Sequence, residues 1–170
     1  MREVLYVFIG GGLYVSFQAG VVPLIEVSDI AWPMPYVLFW LTLPFHWNKG
    51  LSLSFAAGFG VLMDLLFPPH GLQTFCGLWI WGLRRWWIQL FNPNLPSEWE
   101  KDFSVSSLAP GEFFFYAFPL TFWHHTLYFT LAKWSLSVEV VLQIVLSSAY
   151  TFLWEWLIFE LVLRRRHVRA

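Results

Sequence analysis

The sequence predicts an all-α, polytopic membrane protein with six transmembrane helices and with both termini in the cytoplasm. Three observations predict this fold: the composition, a series of apolar stretches, and a one-sided distribution of basic residues. The chain has 170 residues and a formal net charge of −1, and it is 58% hydrophobic, 21% aromatic and 12% charged. Soluble domains are about 45–50% apolar and about 25% charged, so the composition excludes a water-soluble globular domain.

Three further classes of protein are excluded by the same composition. The chain has no excess of basic residues, which a nucleic-acid-binding protein would need. Its apolar content is too high for a disordered chain. Cys76 is the single cysteine, so an internal disulfide framework cannot form.

Six apolar stretches are candidates for transmembrane segments. A helix needs about 20 predominantly apolar residues to cross the hydrocarbon core. The first stretch resembles a signal peptide, but no convincing cleavage site follows it, so we interpret it as an uncleaved span. The second is short and proline-flanked. We predict one transmembrane domain over residues 1–170, with spans at 4–22, 36–46, 50–67, 71–91, 113–132 and 136–163.

Basic residues indicate the orientation because they are enriched in cytoplasmic loops. With six spans and a cytoplasmic N-terminus, Lys133 is the only basic residue on the predicted outer side. Without the second span, every later loop would lie on the opposite side of the membrane. The distribution therefore supports that span and places the polar loop 92–111 in the cytoplasm. The basic residues on the predicted cytoplasmic side are Arg2, Lys49, Arg84, Arg85, Lys101, Arg164, Arg165, Arg166 and Arg169.

Asp64 is an acidic residue inside the third predicted span. An acid at mid-membrane costs about 2.5–3.5 kcal/mol on insertion scales, although Asp64 is nearer the outer end, where the penalty is smaller. It could be a structural anchor or cap for the Pro-Pro-His-Gly turn that follows, a partner contact, or a ligand or proton site. Gly58 and Gly60 form small-residue pairs with Ser54 and Ala56, which allow helices to approach closely.

His124 and His125 lie near the middle of the fifth predicted span. Adjacent residues point about 100° apart on a helix, so the pair cannot easily share a metal ion. Thr121, His124 and Tyr128 share one face, which favours a seam of hydrogen bonds between helices. A neutral histidine bonded within the bundle is the preferred interpretation, and a proton relay is the alternative.

A polar stripe runs along the sixth predicted span. Its members are spaced four residues apart and therefore lie on one helix face. In lipid, such a stripe must face other helices or a cavity. It could stabilise helix packing or line a small-molecule pocket. The stripe consists of Gln143, Ser147, Thr151 and Glu155.

Two basic groups are predicted at the cytoplasmic interface. Arg84 and Arg85 lie among tryptophans, which is typical of a membrane interface. The second group follows the last span and is expected to anchor the chain to anionic lipids or to dock a cytoplasmic partner. It consists of Arg164, Arg165, Arg166 and Arg169.

The sequence contains no motif typical of an enzyme. Nucleophile elbows, phosphate-binding loops and metal-ligand spacings are absent from it. We therefore predict a protein that is not an enzyme and has no cofactor.

Several features, taken in order, resemble the rod shape-determining protein MreD family. They are an aromatic-rich first span, a short second span flanked by Pro33, Pro35 and Pro44, and a fifth span with paired histidines. The third span adds the segment from Phe55 to Asp64, which contains Gly58 and Gly60 and is followed after a proline turn by Gly-Leu-Gln-Thr. The resemblance covers nearly the whole chain and is one of order and topology.

The resemblance implies a non-catalytic protein of the bacterial inner membrane. Members of this family act in lateral-wall elongation with the bitopic protein MreC, the actin-like MreB, the polymerase RodA and its transpeptidase partner. Their six-helix fold is similar to the S components of energy-coupling-factor vitamin transporters.

That similarity supplies an alternative function, in which the chain is an S component that binds a vitamin near the outer face. Asp64 and the polar stripe would then line the pocket. The short outer loops, and the lack of a clear Ala-x-x-x-Ala pair in the first span, weigh against this alternative. A generic accessory subunit of another membrane complex is a third possibility.

Overall fold

The computed structural model describes residues 2–25, 30–91 and 99–163, which form helices joined by turns and loops, without a β-strand. The long helices are α1 (Arg2–Gly20), α4 (Lys49–Leu66), α5 (Leu72–Phe91), α7 (Pro110–Lys133) and α8 (Val138–Ile158). The short helices are α2 (Val22–Ile25), α3 (Val37–Thr42) and α6 (Trp99–Asp102). A 3₁₀ turn covers Val105–Ser107, and a π-helix over Phe159–Leu163 extends α8. The all-α prediction is confirmed for these residues.

Two stretches are long and apolar enough to cross a membrane, Lys49–Leu66 and Val138–Leu163. α1, α5 and α7 have 19, 20 and 24 residues, which is enough length for a crossing. Their glycine, tryptophan, tyrosine and histidine residues lower their mean hydropathy. Two apolar helices are weak support for membrane association, and the six-span topology stays a prediction.

The long helices form a bundle in which neighbours in sequence are neighbours in space. α4 packs on α5, α5 on α7 and α7 on α8. α3 packs against α5 and α7, and α1 lies against α3. Short turns join α4 to α5 and α7 to α8, and Gly71 supplies the positive φ of 88° that the turn before α5 requires.

Local sequence signals determine where several helices begin. Asn48 caps α4, because its side chain accepts a hydrogen bond from the Leu51 N–H at 2.7 Å. Ser137 accepts from the Val140 N–H at the start of α8. α7 begins with Pro110 at its first turn, where the missing N–H has no helical partner to lose.

Pro119 lies inside α7 and cannot donate a backbone hydrogen bond to the carbonyl of Phe115, four residues earlier. The Trp87 indole N–H, on α5, donates to that carbonyl at 3.0 Å. A side chain of the neighbouring helix therefore replaces the hydrogen bond that the proline removes.

The second predicted span, 36–46, differs most from its expected form. Only Val37–Thr42 is helical, and six residues rise about 9 Å, which is too short to cross a bilayer. The rest of the stretch is irregular backbone enclosed by the other helices. Prolines at 33, 35 and 44 explain this, because proline cannot continue a helix beyond its first turn.

Candidate functional site

The centre of the bundle is occupied by residues 31–47, which we call the crossing segment. It begins after α2, and at its other end His46 and Trp47 contact Glu3 near the start of α1. The segment therefore runs between the two ends of the bundle, antiparallel to α1. Its residues are mostly buried, and Trp40, Leu38 and Leu41 are fully so. Irregular backbone at membrane depth is tolerated only where protein encloses it and satisfies its polar groups.

The polar stripe of α8 supplies hydrogen-bond acceptors to the first part of the crossing segment. The Trp32 N–H donates to Ser147 Oγ at 2.9 Å, and the Met34 N–H donates to Thr151 Oγ1 at 2.8 Å. Both hydroxyls are fully buried. Two members of the predicted stripe thus bind backbone.

Thr151 connects this segment to α7 through His125. Since Thr151 Oγ1 accepts from Met34, its O–H is left to donate to His125 Nε2, which lies 3.0 Å away. The carbonyl of Thr121 can only accept, so His125 Nδ1 carries the proton and donates to it at 2.8 Å. This pattern defines a neutral imidazole with both nitrogens satisfied.

His124 faces α3, and its ring also contacts that of His125, with centroids 5.5 Å apart. Its ring stacks on Tyr128, with centroids 6.4 Å apart, and contacts Tyr36 and Trp40 at 6.2 and 6.1 Å. Neither ring nitrogen has a hydrogen-bond partner among the described residues. The seam predicted along Thr121, His124 and Tyr128 is therefore wrong for His124, because His125 makes the hydrogen bond to α8.

Glu155, the last member of the stripe, is fully buried. Its Oε2 accepts from the Thr121 hydroxyl at 2.8 Å, whereas Oε1 has no partner in the part of the chain that the structure describes. Glu155 therefore joins α8 to α7.

Arg84 closes the other end of the crossing segment. Its Nη1 donates to the carbonyls of Leu43 at 2.6 Å and Leu41 at 3.2 Å, and Tyr116 also donates to Leu41. The guanidinium lies 4.1 Å from the centroid of the Phe45 ring. Arg84 is fully buried, so its guanidinium is enclosed by protein and is not exposed as a lipid anchor would be. The end of α3 leaves carbonyls without helical partners, and Arg84 supplies donors to them.

Arg85 links the crossing segment to the following loop. Its Nη2 donates to the Phe45 carbonyl at 2.9 Å, and its Nη1 lies 2.6 Å from the Glu100 carboxylate. The guanidinium is therefore engaged with protein groups. The predicted tail residues Arg164, Arg165, Arg166 and Arg169 lie outside the described residues.

Asp64 joins α4 to the start of α5. Its two carboxylate oxygens accept from the N–H groups of Gln73 and Thr74 at 2.8 and 2.9 Å, and also from the Thr74 hydroxyl. These amides belong to the first turn of α5, where N–H groups lack helical partners and the helix dipole favours negative charge. Asp64 thus acts as a cap supplied by the preceding helix.

Gly60 and Gly58 lie on different faces of α4. A Cβ added to Gly60 would lie 2.6 Å from the Thr74 Cα, so only glycine permits this contact with α5. A Cβ on Gly58 would meet nothing within 4 Å. Ser54, one turn before Gly58, is exposed as well.

Gln143, the first member of the stripe, lies at the opposite end of the bundle from Glu3. It lines a cleft of about 580 Å³, together with Trp32, Tyr128, Lys133 and the Pro68–Pro69 turn. In the described ranges, no group of three or more His, Cys, Asp or Glu side chains could hold a metal ion.

Sequence reasoning missed several residues that complete these contacts. The Tyr36 hydroxyl donates to Gln73, whose own N–H is bound by Asp64. Tyr116 and Trp87 satisfy carbonyls of other elements. An aromatic residue with a polar tip gives no sequence signal that separates such a role from membrane-interface anchoring.

Comparisons with protein-family models, with curated proteins and with solved structures find no match to this chain.

Proposed function

We propose that the chain is a non-catalytic subunit of the bacterial complex that elongates the cell wall, similar to proteins of the MreD family. In this role it crosses the inner membrane six times, with both termini in the cytoplasm. It holds an MreC-like bitopic protein together with the RodA-like polymerase, its transpeptidase partner and MreB. The bilayer is its other partner.

The outward face of α4 is the observation that carries this proposal. Ser54 and Gly58 form a small-residue pair on it, with open space at Gly58. Exposed Val61 and Leu65 continue the same surface. Helices associate in lipid by close packing at small residues, because apolar surface gains little by leaving one apolar environment for another. Such a face suits the single transmembrane helix of a bitopic partner.

The two glycines provide a test with a built-in control. Gly60→Leu should destabilise the protein, because its side chain collides with the backbone of α5. Gly58→Leu should leave the fold intact and abolish co-purification with the MreC-like partner from detergent. If Gly58→Leu folds and still retains the partner, α4 is not the docking surface and the proposal loses its main support.

The cleft beside Gln143 favours the second candidate, an S component of a vitamin transporter. Its volume of about 580 Å³ falls within the usual range for small-molecule sites, about 300–1,000 Å³. Trp32 and Tyr128 offer aromatic surfaces, and Lys133 offers a cationic group. Asp64, Ser147 and Thr151 are engaged in the hydrogen bonds described above, which leaves fewer polar groups for a vitamin. Stoichiometric vitamin in the purified protein, lost in Trp32→Ala, would favour this candidate over the scaffold.

A further inference from the structure

A groove of about 440 Å³ lies between α1 and the π-helical end of α8. One face of α1 lies opposite Ile158 and Val162, and the crossing segment forms the floor of the groove with Phe39, Thr42 and Leu43. The residues on that face of α1 are Tyr6, Gly10, Leu13 and Phe17.

α1 contacts the rest of the bundle near both of its ends, so that the groove lies between two points of attachment. Near one end, the Phe17 and Trp154 rings contact each other with centroids 5.4 Å apart. At the other end, His46 and Trp47 donate to Glu3 Oε2 at 2.9 and 3.2 Å. The groove therefore belongs to the folded arrangement and is not produced by a detached helix.

An apolar groove of this size must be filled when the protein lies in a bilayer, since an empty one would forfeit dispersion contacts along both walls. Acyl chains and partner helices are the species present at that depth. The walls carry large side chains such as Tyr6, Leu13 and Phe17, whereas helices pack closely in lipid at small residues. An acyl chain is thinner than a helix, which is about 10–12 Å wide, and it carries no side chains.

Glu3 determines which headgroup suits the mouth of the groove. Glu3 Oε2 accepts both hydrogen bonds that the described residues donate to this carboxylate. The Glu3 side chain is 56% exposed. Partial burial raises the pKa of this carboxyl group, but the hydrogen bonds from His46 and Trp47 outweigh that effect, and the pKa lies below its ordinary value. An ionised Oε1 can accept a hydrogen bond from a cationic N–H donor.

We propose that the groove binds one acyl chain of a phosphatidylethanolamine molecule, whose ammonium group donates a hydrogen bond to Glu3 Oε1. This inference rests on the membrane location in the proposed function. It does not depend on the identity of the protein partner.

Photo-crosslinking in nanodiscs tests both halves of the inference. The probe is phosphatidylethanolamine with a diazirine in its acyl chain, and its labels should map to α1 and to residues 158–163. Gly10→Leu should abolish this labelling, because the new side chain enters the groove. Gly12→Leu is the matched control: its Cβ position is equally open, but it does not line the groove.

The headgroup is tested with a phosphatidylcholine probe, which keeps the positive charge but lacks N–H donors, and with an anionic phosphatidylglycerol probe. The wild type should label most strongly with phosphatidylethanolamine, and Glu3→Gln should lose that preference. His46→Gln weakens the attachment of α1 but keeps the carboxylate, so it should retain the preference.

Three results would overturn the inference. Equal labelling by the three probes, or strongest labelling by phosphatidylglycerol, would contradict the role of Glu3. Undiminished labelling of Gly10→Leu would show that the chain lies elsewhere. A protein that fails to enter nanodiscs at all would contradict the proposed function instead. Co-purification of the partner with Gly58→Leu is a separate measurement, which does not depend on the lipid probes.

Discussion

Asp64 shows how a single polar residue can be required inside an apolar helix. Its carboxylate accepts from three donors, two of which are backbone amides at the first turn of α5. Buried amides without acceptors are costly, and the cost rises where water is scarce. A side chain that accepts from both amides needs two acceptor oxygens close together, and the carboxylate of an aspartate provides them.

We therefore predict a graded loss of stability at Asp64. Asp64→Asn replaces one acceptor oxygen by an NH₂ group and should cost about 1–3 kcal/mol, and Asp64→Leu should cost more because it removes every acceptor. Thr74→Val is the control, since it removes the hydroxyl donor and keeps both amide bonds. The free energy of unfolding in bicelles measures the series. A Leu variant as stable as the wild type would refute the capping role.

The paired histidines show where sequence reasoning at this scale reaches its limit. The sequence indicates that His124 and His125 face different neighbours, and that prediction needs only helix geometry. It cannot indicate which of them meets α8, because that depends on how α7 is rotated against the bundle. The same uncertainty made Arg84 a candidate lipid or partner anchor, whereas its buried guanidinium binds the carbonyls of Leu41 and Leu43.

At the scale of elements, the crossing segment explains why α8 carries polar residues at intervals of four. Prolines prevent a continuous helix through residues 31–47, so amides such as those of Trp32 and Met34 need acceptors from outside. Ser147 and Thr151 supply these acceptors. The stripe was predictable from spacing, whereas its partner was not, since no sequence pattern pairs a hydroxyl with a particular distant amide.

Thr151→Val should therefore be costly although it keeps the shape of the side chain. It would leave the Met34 amide and His125 Nε2 without partners, at about 1–3 kcal/mol each. Thr126→Val is the matched control, because among the described residues Thr126 bonds within its own helix, to the Phe122 carbonyl. That change should stay within about 0.5 kcal/mol.

Unfolding in bicelles gives the stabilities of both threonine variants, and hydrogen exchange gives the protection of the Met34 amide. Faster exchange at Met34 in Thr151→Val alone is the expected result. Equal losses in the two variants would contradict the pairing of α8 with the crossing segment.

At the scale of the whole molecule, apolar length was the reliable signal. The helices α1, α4, α5, α7 and α8 lie within three residues of the predicted ranges at each start, because long apolar runs can satisfy their backbone only as helices. The irregular crossing segment was the difficult part. Its presence was indicated by the balance of basic residues, but its conformation depends on tertiary contacts from α5, α7 and α8.

The crossing segment has a direct consequence for topology. Trp32 lies beside the Pro68–Pro69 turn and Lys133, where α4 and α7 end, whereas His46 contacts Glu3 near the start of α1. If the bundle spans the bilayer, this segment adds one crossing to those of the five long helices. The proposed arrangement of six crossings, with the termini on one side, depends on it.

Cysteine labelling in intact cells tests the topology of six crossings. In a Cys76→Ala background, Ser135→Cys and Leu24→Cys should react with a membrane-impermeant maleimide, whereas Lys101→Cys and Asn48→Cys should react only after the membrane is permeabilised. This pattern is expected because Leu24 and Asn48 flank the crossing segment and residues 101 and 135 flank α7. Labelling of Lys101→Cys and Ser135→Cys from the same side would contradict a crossing by α7. Labelling of Leu24→Cys and Asn48→Cys from the same side would contradict a crossing by the segment.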